Sequence, residues 1–159
     1  MSFCLRDFDP ATDKAAALSF VDGSQAFEHA IEPDRRLDST VAAEWYAVLL
    51  QRVAKGEGRI FIAEDEGRAI GWGIFVVEDA PLYVVEDLRR EGYIVELYVV
   101  AEARGQGVGQ ALIAACEDHA RQLGLKRIMI GVLAVNRRAA DIYQRAGYAP
   151  YQLELAKSL

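Results

Sequence analysis

The stretch YIVELYVVAEARGQGVGQALI (Tyr93–Ile113) decides the fold. Tyr93, Val95, Leu97 and Val99 alternate with Ile94, Glu96, Tyr98 and Val100, and the β-branched content suits a strand buried on both faces. From Val108 the apolar spacing changes to Leu112, Ala115, Cys116 and Leu123, which is helical. Arg104, Gly105, Gly107 and Gly109 fall at the junction. Glycine lets backbone N–H groups approach a ligand with no Cβ in the way, and a helix N-terminus adds unpaired donors and partial positive charge. Strand, glycine turn and helix together predict a phosphate cradle.

Two familiar cradles are excluded. The chain has no GxxxxGK[ST] string. A dinucleotide fingerprint needs GxGxxG directly after the strand and a carboxylate about 20 residues on. Here Gln110 stands at the third glycine position, and Ala101 to Arg104 separate strand from glycines.

Outward from this stretch, the chain of 159 residues suggests one domain, 1–159, large enough to bury a core without staples. No apolar run approaches the length of a membrane span, and MSFCLRDFDP lacks the apolar centre of a signal peptide. Cys4 and Cys116 have no metal-site spacing, nor does any other cluster, which points to a reducing cytoplasm and no metal. Net charge is −6, unevenly spread: residues 1–103 carry 10 Lys+Arg against 20 Asp+Glu, whereas 104–145 carry 7 against 3. The basic segment suits a polyanionic cofactor, the acidic one a cationic substrate, and nucleic acid is a poor partner.

SFCLRDF reads as a first strand, and Asp9-Pro10 as the cap and first residue of a helix ending near Val21. DGSQAFEHAIEPDRRLD reads as a loop or broken helix. Asp38 or Ser39 caps a helix to Lys55 with Val41, Trp45, Val48, Leu49 and Val53 on its apolar stripe. RIFIAEDEGRAIGWGIFVVED is a hairpin turning at Asp65-Glu66-Gly67, and 79–92 is a loop with a helical turn around Glu86 to Arg90. KRIMIGVL is a buried strand, NRRAADIYQRAGY a helix ended by Gly147, and YQLELAK a final alternating strand. The order predicts an α/β fold with a mixed sheet: the hairpin is antiparallel and the helical crossovers favour parallel neighbours.

Arg104-x-x-Gly107-x-Gly109 preceded by ELYV, and Asn136-x-x-Ala139-x-x-x-Tyr143 followed by Ala146-Gly147-Tyr148, resemble the GCN5-related N-acetyltransferase (GNAT) family. The resemblance covers residues 59–157 well; the one departure is Ala101, where proline commonly follows the strand. It implies a mixed, mostly antiparallel sheet flanked by helices, with strands 93–100 and 126–133 splayed around the pantetheine of acetyl-CoA. The family resemblance also implies cofactor contacts from Leu97, Tyr98, Val99, Val100, Arg104, Gly105, Gln106, Gly107, Val108, Gly109, Gln110, Asn136, Ala139 and Tyr143. Backbone N–H groups around Val99 and Val100 would meet the acetyl carbonyl, and 104–110 the pyrophosphate.

Amine acetylation needs a base for the amine, stabilisation of the carbonyl oxygen and a proton for the departing thiolate. By the resemblance Tyr143 is the general acid. Glu96 is the candidate base, because a carboxylate mid-strand among apolar residues is costly unless used or paired. A cation-binding or structural role for Glu96 stays open. The expectation is an acetyl-CoA-dependent N-acetyltransferase acting on a small-molecule or peptide amine, with the oligomeric state open and a homodimer the family-level reading. A non-catalytic CoA-binding sensor and a transferase of a larger acyl-CoA are the alternatives. Residues 22–38 and 79–92, the least periodic, are expected to set the acceptor. His119 reads as a surface or packing residue, Cys116 as a packing residue, and Trp45 and Trp72 as core; an acceptor-site position stays open for Trp72 and for the loop residue His29.

Overall fold

The computed structural model describes residues 2–159. Among them one five-stranded sheet runs in the order β1-β2-β3-β4-β5, with β1 Cys4–Asp7, β2 Arg59–Asp65, β3 Arg68–Asp79, β4 Arg90–Val99 and β5 Ile128–Ile130. The first three pairings are antiparallel and β4–β5 is parallel. Helices α1 (Lys14–His29) and α2 (Val41–Ala54) cover one face; α3 (Val108–Gln122) packs on the other, and α4 (Arg137–Arg145) follows β5. The two cores are correspondingly separate. Phe20, Tyr46, Leu49 and Trp72 fill one; Phe75, Leu112, Ile113 and Cys116 fill the other.

The first helix starts later and runs further than the sequence suggests. Asp9 does not cap it; its carboxylate accepts from the Ala11 N–H at 2.9 Å within a turn. Asp13 holds the helix start, its carboxylate taken up by Arg6 (2.7 and 2.8 Å) and the Asp9 N–H (2.8 Å). Asp22-Gly23-Ser24 does not break the helix. A Cβ at Gly23 would lie 2.2 Å from the Tyr98 Oη, so this glycine is a notch in which β4 packs against α1. In α2 the buried side chains are Val41, Ala42, Tyr46 and Leu49, while Val48 is exposed. Asp38 accepts from the N–H and hydroxyl of Thr40, the residue at the helix start.

The β2–β3 hairpin turns on Glu66 (φ 49°) and Gly67 (φ 78°), both left-handed as a two-residue primed turn requires. Further along, Ile74 pairs with Glu96 but Phe75 with Ile94, so Val95 is an extra, bulged residue of β4. The bulge breaks the simple alternation read from sequence. Ile94, Leu97 and Val99 face α3, whereas Val95 and Tyr98 face α1 and α2. Glu96, opposite Ile74, joins the α1/α2 face.

Pairing of β4 with β5 ends at Ile94 with Ile130, immediately before the bulge. Beyond it, β4 continues over Val95–Val99 with no β5 partner, so the two parallel strands are no longer joined there. Only three residues of the expected 126–133 strand are therefore paired. The expected last strand, 151–157, pairs with nothing among the described residues. Tyr151, Leu153 and Leu155 are exposed, and Arg127 stacks over the Tyr151 ring at 5.0 Å. A three-residue β5 offers too little edge to hold it.

Candidate active site

The glycine turn before α3 forms as the spacing predicts. Gly105 (φ 78°) and Gly107 (φ 85°) are left-handed, a conformation a side chain disfavours, and no heavy atom lies within 4 Å of a Cβ at Gly105. Gly107 stands at the start of α3, whose first bond runs from the Ala111 N–H to its carbonyl at 3.0 Å. The amides of Val108, Gly109 and Gln110 precede that bond, and the first turn carries no acid to offset the helix dipole. Open space, free donors and positive potential fit a pyrophosphate.

The Arg104 side chain turns away from that space. Its Nε donates to the Val99 carbonyl at 2.9 Å, and its guanidinium lies over Tyr98 (5.6 Å) and Phe27 (5.5 Å). It ties the cradle to β4 and α1. Gln106 likewise donates to the Glu102 carbonyl at 2.9 Å. Contacts from either residue to the cofactor would thus come through the main chain.

Alternation of N–H groups along β4 decides which of them face the opening. The Val100 N–H donates to the Ile70 carbonyl at 3.0 Å, on the β3 side. It is not the acyl-oxygen donor expected from sequence. Successive residues point to opposite edges, so the N–H groups of Val99 and Leu97 face the side from which β5 has parted.

Asn136 begins α4, and its Oδ1 accepts from the Ala139 N–H at 3.1 Å, so its first role is a helix cap. Seven residues on, Tyr143 packs beside Tyr148 with ring centroids 6.4 Å apart. Tyr143 lines an open cleft of about 1180 Å³ between β5, α4 and residues 149–154, which also reaches Glu28 and Arg35. Burial, with smaller contributions from the charges of Glu28 and Glu96, pushes its phenol up to about 12, so it keeps its proton at neutral pH.

Glu96 is half-buried on the α1/α2 face. Burial raises its carboxyl to about 7; the Trp45 hydrogen bond and Arg52 oppose that rise, and the Glu28 charge adds to it. The Trp45 Nε1–H donates to Oε1 at 2.7 Å. Sequence reading placed Trp45 in the core by its helical spacing, and nothing in that spacing marks a partner 51 residues away. Glu28 was missed too: its segment looked irregular, yet it sits on the last turn of α1, bonded to Arg35 at 2.7 Å. Of the two stretches expected to set the acceptor, 22–38 supplies Glu28 and Arg35 to the cleft, whereas 79–92 does not line it. The latter loop closes at the start of β4, the end opposite the cradle, through the Ala80 N–H to Arg89 carbonyl bond.

The remaining tempting residues are structural. His119 bonds the Glu57 carbonyl and packs edge-on to Phe75; His29 Nδ1 bonds the Arg35 carbonyl. Cys116 and Trp72 are fully buried. Among the described residues there is no metal-binding cluster and no helix long and apolar enough to cross a membrane.

Known proteins resemble this chain in sequence and in fold. Residues 24–148 match the acetyltransferase (GNAT) family. The uncharacterised N-acetyltransferase YdgE of Bacillus subtilis is 31% identical over 98 residues, 62% of this chain and 59% of YdgE. A mycothiol acetyltransferase of Streptomyces griseus is 30% identical over 155 residues, 95% of this chain but 44% of that protein. The chain thus spans about half the length of these two relatives. A predicted acetyltransferase of Clostridium acetobutylicum, solved with acetyl-CoA, has the same fold: TM-score 0.71 at 20% identity, covering 98% of this chain and 96% of that one. A GCN5-related N-acetyltransferase from Ralstonia eutropha superimposes with a TM-score of 0.76 at 23% identity over 99% of both chains. By the family match over most of its length, the chain belongs to the GNAT acetyltransferase family.

Proposed function

We propose that the chain is an acetyl-CoA-dependent N-acetyltransferase that moves the acetyl group directly onto a primary amine. The observation that carries this reading is a pair of titratable groups, Glu96 bonded to Trp45 on the α1/α2 face of β4 and Tyr143 in the cleft beside β5. Burial brings the Glu96 carboxyl up to about 7 and helps Tyr143 keep its proton, and the Glu96 charge acts on Tyr143. Acid and base pushed apart in this way are what aminolysis of a thioester requires at neutral pH.

Bound acetyl-CoA would supply the acetyl thioester. Its pyrophosphate is assigned to the main chain of 104–110, and its arm to the edge of Leu97–Val99 and to the start of α4 at Asn136 and Ala139. Glu96 takes the proton that an ammonium group must lose before its nitrogen becomes a nucleophile. The N–H groups of Leu97 and Val99 hold charge developing on the acyl oxygen. Tyr143 holds a phenolic proton for the departing sulfur. Glu28 adds negative potential near Glu96, which favours a cationic acceptor.

The test is an acetylation screen over polyamines, aminoglycosides, amino acids and peptide N-termini, read as release of free thiol from acetyl-CoA. Turnover of at least one amine class, lost on Glu96→Gln, is expected. Binding of acetyl-CoA with no turnover of any class would overturn the reading in favour of a CoA-binding sensor.

A further inference from the structure

Glu96 is held by a residue that constrains its chemistry. The indole N–H of Trp45, on the second turn of α2, reaches across to β4 and donates to Oε1 at 2.7 Å. An indole nitrogen donates and never accepts. The oxygen facing it must therefore act as an acceptor in both ionisation states of the carboxyl. When Glu96 is protonated, the carbonyl oxygen is the better acceptor of the two, so the bond favours the proton on Oε2. A free carboxyl exchanges the roles of its two oxygens by rotation, and here that exchange would trade a carbonyl acceptor for a weaker hydroxyl one.

The local fold makes the contact possible. The extra residue at Val95 turns Glu96 from the α3 face, where Ile94 points, to the face covered by α1 and α2. Trp45 packs against that same core, so its ring is fixed by neighbours and its N–H is aimed. The other tryptophan provides an internal contrast. Trp72 is fully buried and its Nε1 has no hydrogen-bond partner.

We propose that Trp45 is a positioning residue of the acceptor site, occupying Oε1 so that Oε2 alone exchanges the amine proton. The role in the reaction rests on the acetyltransferase reading above; the coupling between the two side chains does not. Charged and titratable groups facing Glu96 are Glu28 from α1, Arg52 from α2 and Tyr143 from α4, while its neighbour on β3 is the apolar Ile74. None of these groups is bonded to the carboxylate; the Trp45 indole is.

The experiment is a pH titration followed by NMR, first in the wild-type protein. One of the two indole N–H resonances is expected to move with a midpoint near that of the Glu96 carboxyl carbon, and to become independent of pH in Glu96→Gln. The other, Trp72, stays still throughout. In Trp45→Phe, which keeps an aromatic ring and removes the donor, the Glu96 midpoint rises by about one pH unit, as loss of a charge-assisted bond requires. The acidic limb of kcat/KM moves with it, and KM for acetyl-CoA is unchanged. Two indole resonances insensitive to Glu96, or an unmoved Glu96 midpoint in a folded Trp45→Phe protein, would overturn the assignment. The wild-type titration decides the matter even where Trp45→Phe does not fold. Titration is read without turnover, so an inactive wild-type protein with a coupled indole would refute acetyl transfer and leave the pairing standing.

Discussion

Replacing Gly107 by glutamate separates backbone strain from ligand binding. In wild-type protein, acetyl-CoA at about one hundred times its Kd stabilises the fold by about 2.7 kcal/mol through mass action. For a chain of this length that is a rise in Tm of roughly 5–11 °C. Gly107 has φ 85° at the start of α3. A side chain in that conformation costs about 1–2 kcal/mol whatever else it does, so Gly107→Glu lowers the unliganded Tm by roughly 2–8 °C. It also places a carboxylate among the amides of Val108, Gly109 and Gln110, and the acetyl-CoA shift disappears. Gly124 provides the control. It is also left-handed (φ 70°), stands past the far end of α3, and has no atom within 4 Å of a Cβ. Gly124→Glu therefore suffers a similar loss without ligand but keeps the full shift. The assay is differential scanning fluorimetry with and without acetyl-CoA. Equal shifts for wild type and Gly107→Glu would refute the cradle assignment, and so would loss of the shift in both mutants.

Tyr143→Phe should lower kcat by roughly ten- to ten-thousand-fold, the span for general acid–base groups, while the acetyl-CoA thermal shift persists; an unchanged kcat would mean the sulfur leaves without this proton. Gly23→Ala should destabilise by up to about 2 kcal/mol in urea denaturation, because overpacking against Tyr98 outweighs the roughly 1 kcal/mol that alanine gains in a helix. A more stable Gly23→Ala protein would contradict the notch. Glu96→Gln should be more stable than wild type at pH 8, by up to about 3 kcal/mol. The sign follows from the raised carboxyl: the folded state holds its proton up to about 7 against an ordinary value of 4.5, so wild-type stability falls between those pH values and stays low above them. The gain should vanish near pH 4, as equal urea midpoints will reveal. Asp13 behaves oppositely: the Arg6 bond holds its carboxyl low, so its contribution is present above its ordinary value of 3.8 and lost as pH falls below it.

Elements whose signals are local were legible in the sequence. The Glu66-Gly67 turn, the glycines before α3 and the apolar stripe of α3 need only their own neighbours, and each formed where expected. The first helix misled because Gly23 is written in the alphabet of breaks but answers to Tyr98, 75 residues away. Alternation in 151–157 has the pattern of a strand and no adequate edge to pair with. The bulge at Val95 left no mark in sequence, since a regular alternation cannot announce the residue at which it slips. That slip is what sends Glu96 to the face of Trp45 and starts the parting of β4 from β5. The candidate site residues were therefore readable one by one through a family resemblance, while their arrangement depends on register.

The most direct measurement is the pH dependence of kcat/KM for an acetylated amine, in wild-type protein and in Glu96→Gln. With Glu96 as the base, the wild-type profile has an acidic limb with a midpoint near 7, set by burial of the carboxyl. Glu96→Gln loses that limb together with most of the rate. A Glu96→Gln protein with wild-type kcat/KM and an intact acidic limb would contradict the account.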